Sequence, residues 1–270
     1  MKIALIITGQ LRTYKLCCNI LKNTLIDKYD IDVFLSIDKS NKLQSDNLNS
    51  TNNSDDIDIQ DAIQFFTPKD LFINNNYDNI FEKIEVNTSI RENRLILEQY
   101  YIVQQGYKLV INYSKTNNIK YDAVIRVRFD QFIWSETSKI LSQFVISNSR
   151  GSKVIKYTPE NINEINIISK NLTIEIDKPI SNEIYIFGSG CINKIKWIND
   201  QFWVHSFDIT NTISNFYNDI PSIINEVLSK KLSPKKCPYF ELIFGIFLKN
   251  NNITIKKSKI KGEFCREIFV

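Results

Sequence analysis

The sequence predicts an α/β protein built on a mixed, mostly parallel central sheet flanked by helices, and three observations carry that prediction. The chain opens on a short apolar run, KIALIITG, that ends at Gly9, as a buried strand delivering the chain into a loop does. A helical pattern and a second strand, IDVFLSI, follow at once, and strand, helix, strand over so short a span forms a right-handed parallel crossover. Further on, a long helical pattern with a wide apolar face precedes the strand-like YDAVIRVRFDQFIW, and such a face packs against a sheet.

Taken in order, the first helix is marked by Tyr14, Cys17, Cys18, Leu21 and Leu25 at three-to-four spacing. Both cysteines sit on its apolar face, which reads as packing rather than nucleophilic chemistry. Residues 39–58 (KSNKLQSDNLNSTNNSDDID) hold almost no apolar side chain and read as a long loop. From Glu92 to about Asn117 one helix is expected, with Leu95, Ile102, Leu109 and Tyr113 along one side and Ile96, Val103 and Val110 beside them. After YDAVIRVRFDQFIW come the β-rich stretches KVIKYT, INIISKNLTIEI and EIYIFGSG. Helices are expected at Ile195 to Val204, Ser222 to Leu232 and Tyr239 to Leu248, and a last strand near Ile253 to Ile255. No repeat or boundary interrupts the pattern, so residues 1–270 read as a single domain.

Composition narrows the function classes. With 270 residues, 43% hydrophobic, 24% charged and a net charge of +4, the chain can fill a large core and is neither disordered nor a strongly basic nucleic-acid binder. Lys256, Lys257, Lys259 and Lys261 read as a solvated edge. Five cysteines without CxxC spacing fit neither a disulfide framework nor a zinc ribbon, which suggests a reducing compartment. The opening apolar run is too short for a signal peptide, and nowhere do about 20 apolar residues run together, so a cytoplasmic protein with no membrane span is expected.

Chemistry concentrates in Ala123 to Asp130. Period-two alternation puts Ala123, Ile125, Val127 and Phe129 on one face and Val124, Arg126, Arg128 and Asp130 on the other. Two guanidinium groups and a carboxylate on one face of an interior strand are costly to bury unpaired. They line a ligand cavity or form a structural Arg-Asp cluster, with Arg126, deeper in the strand, the best suited to a structural role. His205 is the lone histidine, so a two-histidine metal site is impossible, and beside Trp203 and Phe207 it reads as a satisfied core group. GxSxG, GxxxxGK[ST] and GxGxxG are all missing, and Gly188-Ser189-Gly190 lacks the remaining glycine of a dinucleotide turn. In TGQLRTY, however, Gly9 and Gln10 leave the first strand and Arg12 follows as a helix begins. Free amides and a guanidinium there suit a nucleotide phosphate, unless Gly9 merely permits a tight turn and Arg12 pairs with surface acids.

These blocks together, GQLRTY, QYYIVQQGYKLV, KYDAVIRVRFD, NEIYIFGSG and PYFELIFGIFLKNNNI, resemble a family of GT-A-type glycosyltransferase-like proteins, the WavE-like lipopolysaccharide-synthesis proteins with relatives in bacteria and giant DNA viruses. YDAVIRVRFD is the most specific block. The resemblance implies a GT-A-like, Rossmann-like fold, with a nucleotide-sugar-binding half over about 1–135 and an acceptor-binding half over about 136–270. It implies a donor such as a UDP- or GDP-sugar, a glycan acceptor, and a place in the cytoplasm, the host's if the protein is viral. Carried over by position, it places Gly9, Gln10, Arg12, Arg126 and Arg128 beside the nucleotide sugar; apart from the matched blocks, Asp38 just after the second strand is placed to bind the base or ribose. Arg128-Phe129-Asp130 occupies the position of the family's Asp-x-Asp motif, so Asp130 is the implied ligand of a divalent metal, Mn²⁺ or Mg²⁺. Arg128 replaces the first acid, and either one carboxylate holds the metal with help from the diphosphate or the guanidinium takes over part of its role. Glu241, in PYFELIFG, is the implied catalytic base of an inverting transfer, or else an acid stabilised by a helix N-terminus. A non-catalytic nucleotide- or glycan-binding relative and a nucleotidyltransferase are the alternatives.

Overall fold

The computed structural model describes residues 1–11, 14–39, 56–75, 91–147, 153–155, 159–187, 189–192, 195–198, 202–230 and 240–264. The chain forms β1 (Lys2–Gly9), α1 (Tyr14–Leu21) extended by a π-helical turn (Lys22–Ile26), β2 (Asp30–Asp38), α2 (Asp56–Phe66) and β3 (Asp70–Asn74). Next come α3 (Arg91–Asn117), β4 (Ala123–Arg128), β5 (Gln131–Trp134), a 3-10 segment (Glu136–Phe144), β6 (Val145–Ser147), β7 (Lys153–Ile155) and α4 (Pro159–Ser169). The remainder is β8 (Glu183–Ile186), β9 (Ser189–Ile192), β10 (Ile195–Ile198), β11 (Phe202–Ser206), a 3-10 turn (Phe207–Ile209), α5 (Thr210–Ser214), α6 (Phe216–Ser229), α7 (Phe240–Asn250), β12 (Thr254–Lys257) and β13 (Lys261–Phe264).

Seven strands form one central sheet in the order β12-β8-β11-β4-β1-β2-β3. β1, β2, β3 and β4 pair in parallel, β11 is antiparallel to both β4 and β8, and β12 is parallel to β8. The order β3-β2-β1-β4 is that of a doubly wound, Rossmann-like half, and it reverses direction between β1 and β4. Alternation along each strand splits the core between two faces. Ala4, Ile6, Phe34, Val124 and Trp203 pack under α3, α6 and α7, while Ile3, Leu5, Ile7, Leu35 and Ile125 pack with α1 and α2.

α3 lies hard against the sheet at Gly106. A β-carbon there would stand 2.5 Å from Ile6 Cγ2 and 3.4 Å from Ser36 Cβ. Ile6 is fully buried, and its β-branched side chain has little rotamer freedom with which to retreat. Overpacking of about 1–3 kcal/mol should therefore outweigh the roughly 1 kcal/mol that alanine gains over glycine within a helix. Gly106→Ala is expected to lower the urea midpoint, in contrast to the stabilisation seen at exposed helical glycines.

The expected strands around Lys2–Gly9, Asp30–Asp38 and Glu183–Ile186, the long helix and the helix at Phe240–Asn250 all form. Other expectations need correction. Ile195 to Val204 is not a helix but the strand β10 and the start of β11, because the aromatic and β-branched residues of IKWI and FWVHS fit a pleated surface and β11 completes the sheet between β4 and β8. INIISKNLTIEI is not β-structure: its first residues belong to α4, which Pro159 opens with Glu160 in its first turn, and Ile165 is buried on a satellite core with Phe132 and Leu141. YDAVIRVRFDQFIW breaks at Phe129 and Asp130 into β4 and β5. The expected loop at 39–58 lies mostly outside the described residues, and its last part, from Asp56, already belongs to α2.

Cys17 and Cys18 are buried in the core, and burial pushes the Cys18 thiol up to about 12, which agrees with a packing role. The lysines near the C-terminus border the sheet's edge strand β12: Lys256 pairs with Glu183, Lys259 with Glu175, and Lys261 with Glu136 at 2.7 Å. Such charges blunt a sheet edge. No helix among the described residues is long and apolar enough to cross a membrane.

Candidate functional site

In an open α/β sheet the crevice for a ligand lies beyond the C-terminal ends of the parallel strands, where the strand order reverses. Here that position is the gap between β1 and β4. Thr8, the last fully packed residue of β1, pairs with Ser36 on one side and Arg128 on the other. Gly9 follows with φ +109°, a backbone state that side chains rarely adopt, and its absent β-carbon would have met nothing within 4 Å. The turn is thus open above the α-carbon of Gly9, as close approach by a ligand requires. Arg12 lies outside the described residues.

Asp38 ends β2 and is buried, in register with Asn74 at the end of β3. Ser36 Oγ donates to the Ile102 carbonyl of α3 at 2.7 Å, and Phe72 meets Tyr101 of α3 edge-on, so alternation places Asp38 and Asn74 on the α3 face too. Asn74 Nδ2 is buried without a hydrogen-bond partner among the described residues. The unpartnered Asn74 amide is a donor that a sugar hydroxyl could satisfy, with the Asp38 carboxylate on the neighbouring strand as a further acceptor. Glu98, buried in the N-terminal half of α3, accepts from Arg94 Nε at 2.7 Å.

Arg126 and Arg128 part company. Arg128 keeps 21% of its side chain exposed and forks onto Asp130, with Nε 2.8 Å from Oδ1 and a terminal nitrogen 3.0 Å from Oδ2. Arg126 is almost wholly buried; its Nε donates to Thr8 Oγ1 at 3.0 Å, and its guanidinium lies 4.7 Å from the Trp203 ring centre. Behind it the Trp203 indole N–H, which can only donate, bonds the Tyr107 hydroxyl. Tyr107 therefore directs its own proton to His205 Nε2 at 2.9 Å, which leaves Nδ1–H to donate to the Ser206 carbonyl at 2.8 Å. Burial pushes the His205 pKa down to about 4, so the ring is a neutral, satisfied core group.

Both Asp130 oxygens face a guanidinium, and the described residues contain no cluster of three His, Cys, Asp or Glu side chains able to hold a metal ion. A hard cation that wants about six oxygens would have to displace Arg128 to gain one carboxylate, so this donor set does not fit Mn²⁺ or Mg²⁺. Glu241 lies in the first turn of α7, and its side chain is outside the described residues. α7 leads through a short turn into β12, which runs in the direction of β1.

No protein-family model matches the chain, and neither does any curated protein. Its function is therefore read from the site. The sequence drew attention to Gly9, Asp38 and Arg128, which the fold brings to one edge of the sheet, and to Arg126 beneath them; it offered no sign of Asn74 or Tyr107 and marked Trp203 only as a neighbour of His205. Asn74 closes a five-residue strand, DLFIN, whose mixed polarity is too short to register as a period.

Proposed function

We propose that this chain is a glycosyltransferase with a GT-A-like variant of the α/β fold, moving a sugar from a nucleotide-sugar donor, a UDP- or GDP-sugar, to a hydroxyl of a glycan acceptor. The observation that supports it is the placement of the open Gly9 turn and of Arg128 at the adjoining ends of β1 and β4, at the switch point of the sheet. Transfer leaves a nucleoside diphosphate whose growing negative charge must be met by donors fixed in place beforehand. In this reading the amides after β1 and Arg128 meet that charge, Asp38 and Asn74 take the ribose, and Glu241 removes the acceptor proton. A second reading, a nucleotide-binding protein that does not turn over, draws on the engagement of Asp130 by Arg128 in place of an acidic pair.

Calorimetry with UDP, GDP and their sugars, in excess chelator, tests the shared part. Binding should persist in chelator. Arg128→Met should weaken it by about ten- to a hundredfold, the loss of one charge-assisted phosphate bond. Asp130→Asn, which releases Arg128, should leave it unchanged or tighter; with Mn²⁺ added in place of chelator, a metal-holding Asp130 would make the same variant lose binding. No binding of any nucleotide to the wild-type chain would end the proposal, and donor hydrolysis separates transferase from binder.

A further inference from the structure

Arg126 cannot be a simple phosphate contact, because it is 1% exposed and its Nε and its π-face are already engaged. Its position is nonetheless closely determined. Trp203 stands directly opposite Arg126 across the antiparallel β4/β11 pair, so the two side chains share a face and the ring supplies a negative surface for the guanidinium. The ring's own rotation is fixed by the hydrogen bond from its indole N–H to Tyr107, and Tyr107 is fixed in turn by His205, whose remaining nitrogen is tied to the backbone at Ser206. On the other side Arg126 reaches Thr8 Oγ1, one residue before the Gly9 turn. A continuous buried chain of contacts thus runs from β11 and α3 through Arg126 to the rim of the crevice. Arginine keeps its charge at any ordinary pH, and a charge held in the interior is screened by salt far less than one at the surface.

We propose that Tyr107, Trp203 and His205 are positioning residues for Arg126, which serves the site without touching the ligand, as a fixed buried positive charge beneath the crevice and as the anchor of the turn after β1. The inference rests on the nucleotide-binding reading above. It assigns to a set of core aromatic residues a preference for the charged part of a nucleotide over the nucleoside.

The experiment compares the affinities of UDP and uridine, or of GDP and guanosine, using the base that binds, with the nucleoside followed by ligand-observed NMR. A fixed charge favours the diphosphate and is indifferent to the neutral nucleoside, whereas a purely packing role affects both alike. Arg126→Met should cut the diphosphate-to-nucleoside affinity ratio by at least tenfold. Tyr107→Phe, which removes one hydroxyl and keeps the ring, should cut it by about three- to tenfold, and Thr8→Val should lower it as well. If Arg126→Met does not fold, Tyr107→Phe and Thr8→Val decide. An unchanged ratio in both, or an equal weakening of both ligands, overturns the inference and leaves nucleotide binding intact. Failure of the wild-type chain to bind either diphosphate overturns the inference together with the reading it rests on.

Discussion

Replacing Trp203 by alanine should cost the protein about 3–5 kcal/mol of stability, the range for truncating a buried aromatic side chain, and the upper end is expected here. The ring is fully buried and meets Phe244 at 4.7 Å, in a cluster where Phe244 also meets Phe216 at 4.9 Å and Tyr100 at 6.2 Å. Its removal would open a cavity where α7 meets the sheet. It would also take the π-face from Arg126, an interaction worth about 2 kcal/mol when desolvated, and the donor from Tyr107. Trp203→Phe separates these contributions, since it retains a ring under the guanidinium and loses the indole N–H. It should recover more than half of the loss. Urea denaturation with an unchanged slope would check both values, and a loss below about 1 kcal/mol for the alanine variant would contradict the packing described.

The second large effect is on the response to acid. His205 carries a pKa of about 4 in the folded chain, lowered by burial, against an ordinary value of about 6.5 when unfolded. Between those two values the unfolded chain takes up a proton that the native state refuses, so stability falls as pH drops through that window and is independent of this group above it. The total loss by pH 4 is about 3 kcal/mol. Because His205 is the lone histidine, the limb between pH 6.5 and about 5, before carboxylates titrate, belongs to it. His205→Gln should flatten that limb in a series of denaturation curves. A wild-type chain equally stable at pH 7 and pH 5 would mean that the ring is protonated in place.

What the sequence revealed of this fold is what apolar periodicity can encode. KIALIITG, IDVFLSI and the heptad-like spacing of Ile96, Val103 and Val110 mark the parallel half without ambiguity, since each buries its pattern against a neighbour already close in the chain. β10 and β11 escaped because Ile195, Ile198 and Phe202 satisfy a helical spacing, and the choice is made by distant partners that no local pattern describes: the gap between β4 and β8 for β11, and β9 in a separate pairing for β10. The candidate site divides likewise. Alternation placed Arg126 and Arg128 on one face, but their different fates depend on the turn at Phe129 and Asp130 and on an aromatic neighbour from a distant strand. Tyr107 reads in the sequence as one more core aromatic, and only the fold shows its hydroxyl between an indole and an imidazole.

The antiparallel β11 has a bearing on how the chain reaches this state during synthesis. β1, β2, β3 and β4 can pair as soon as Arg128 has emerged, but the free edge of β4 then has no partner until Phe202–Ser206 arrives, and β8, made earlier than β11, has nothing to join. For that interval the nascent chain presents the backbone of AVIRVR as an open template. Arg126 and Arg128, spaced along that strand, place two like charges on any copy that tries to pair with it in parallel register, and like charges directly opposite oppose such self-association of the growing chain.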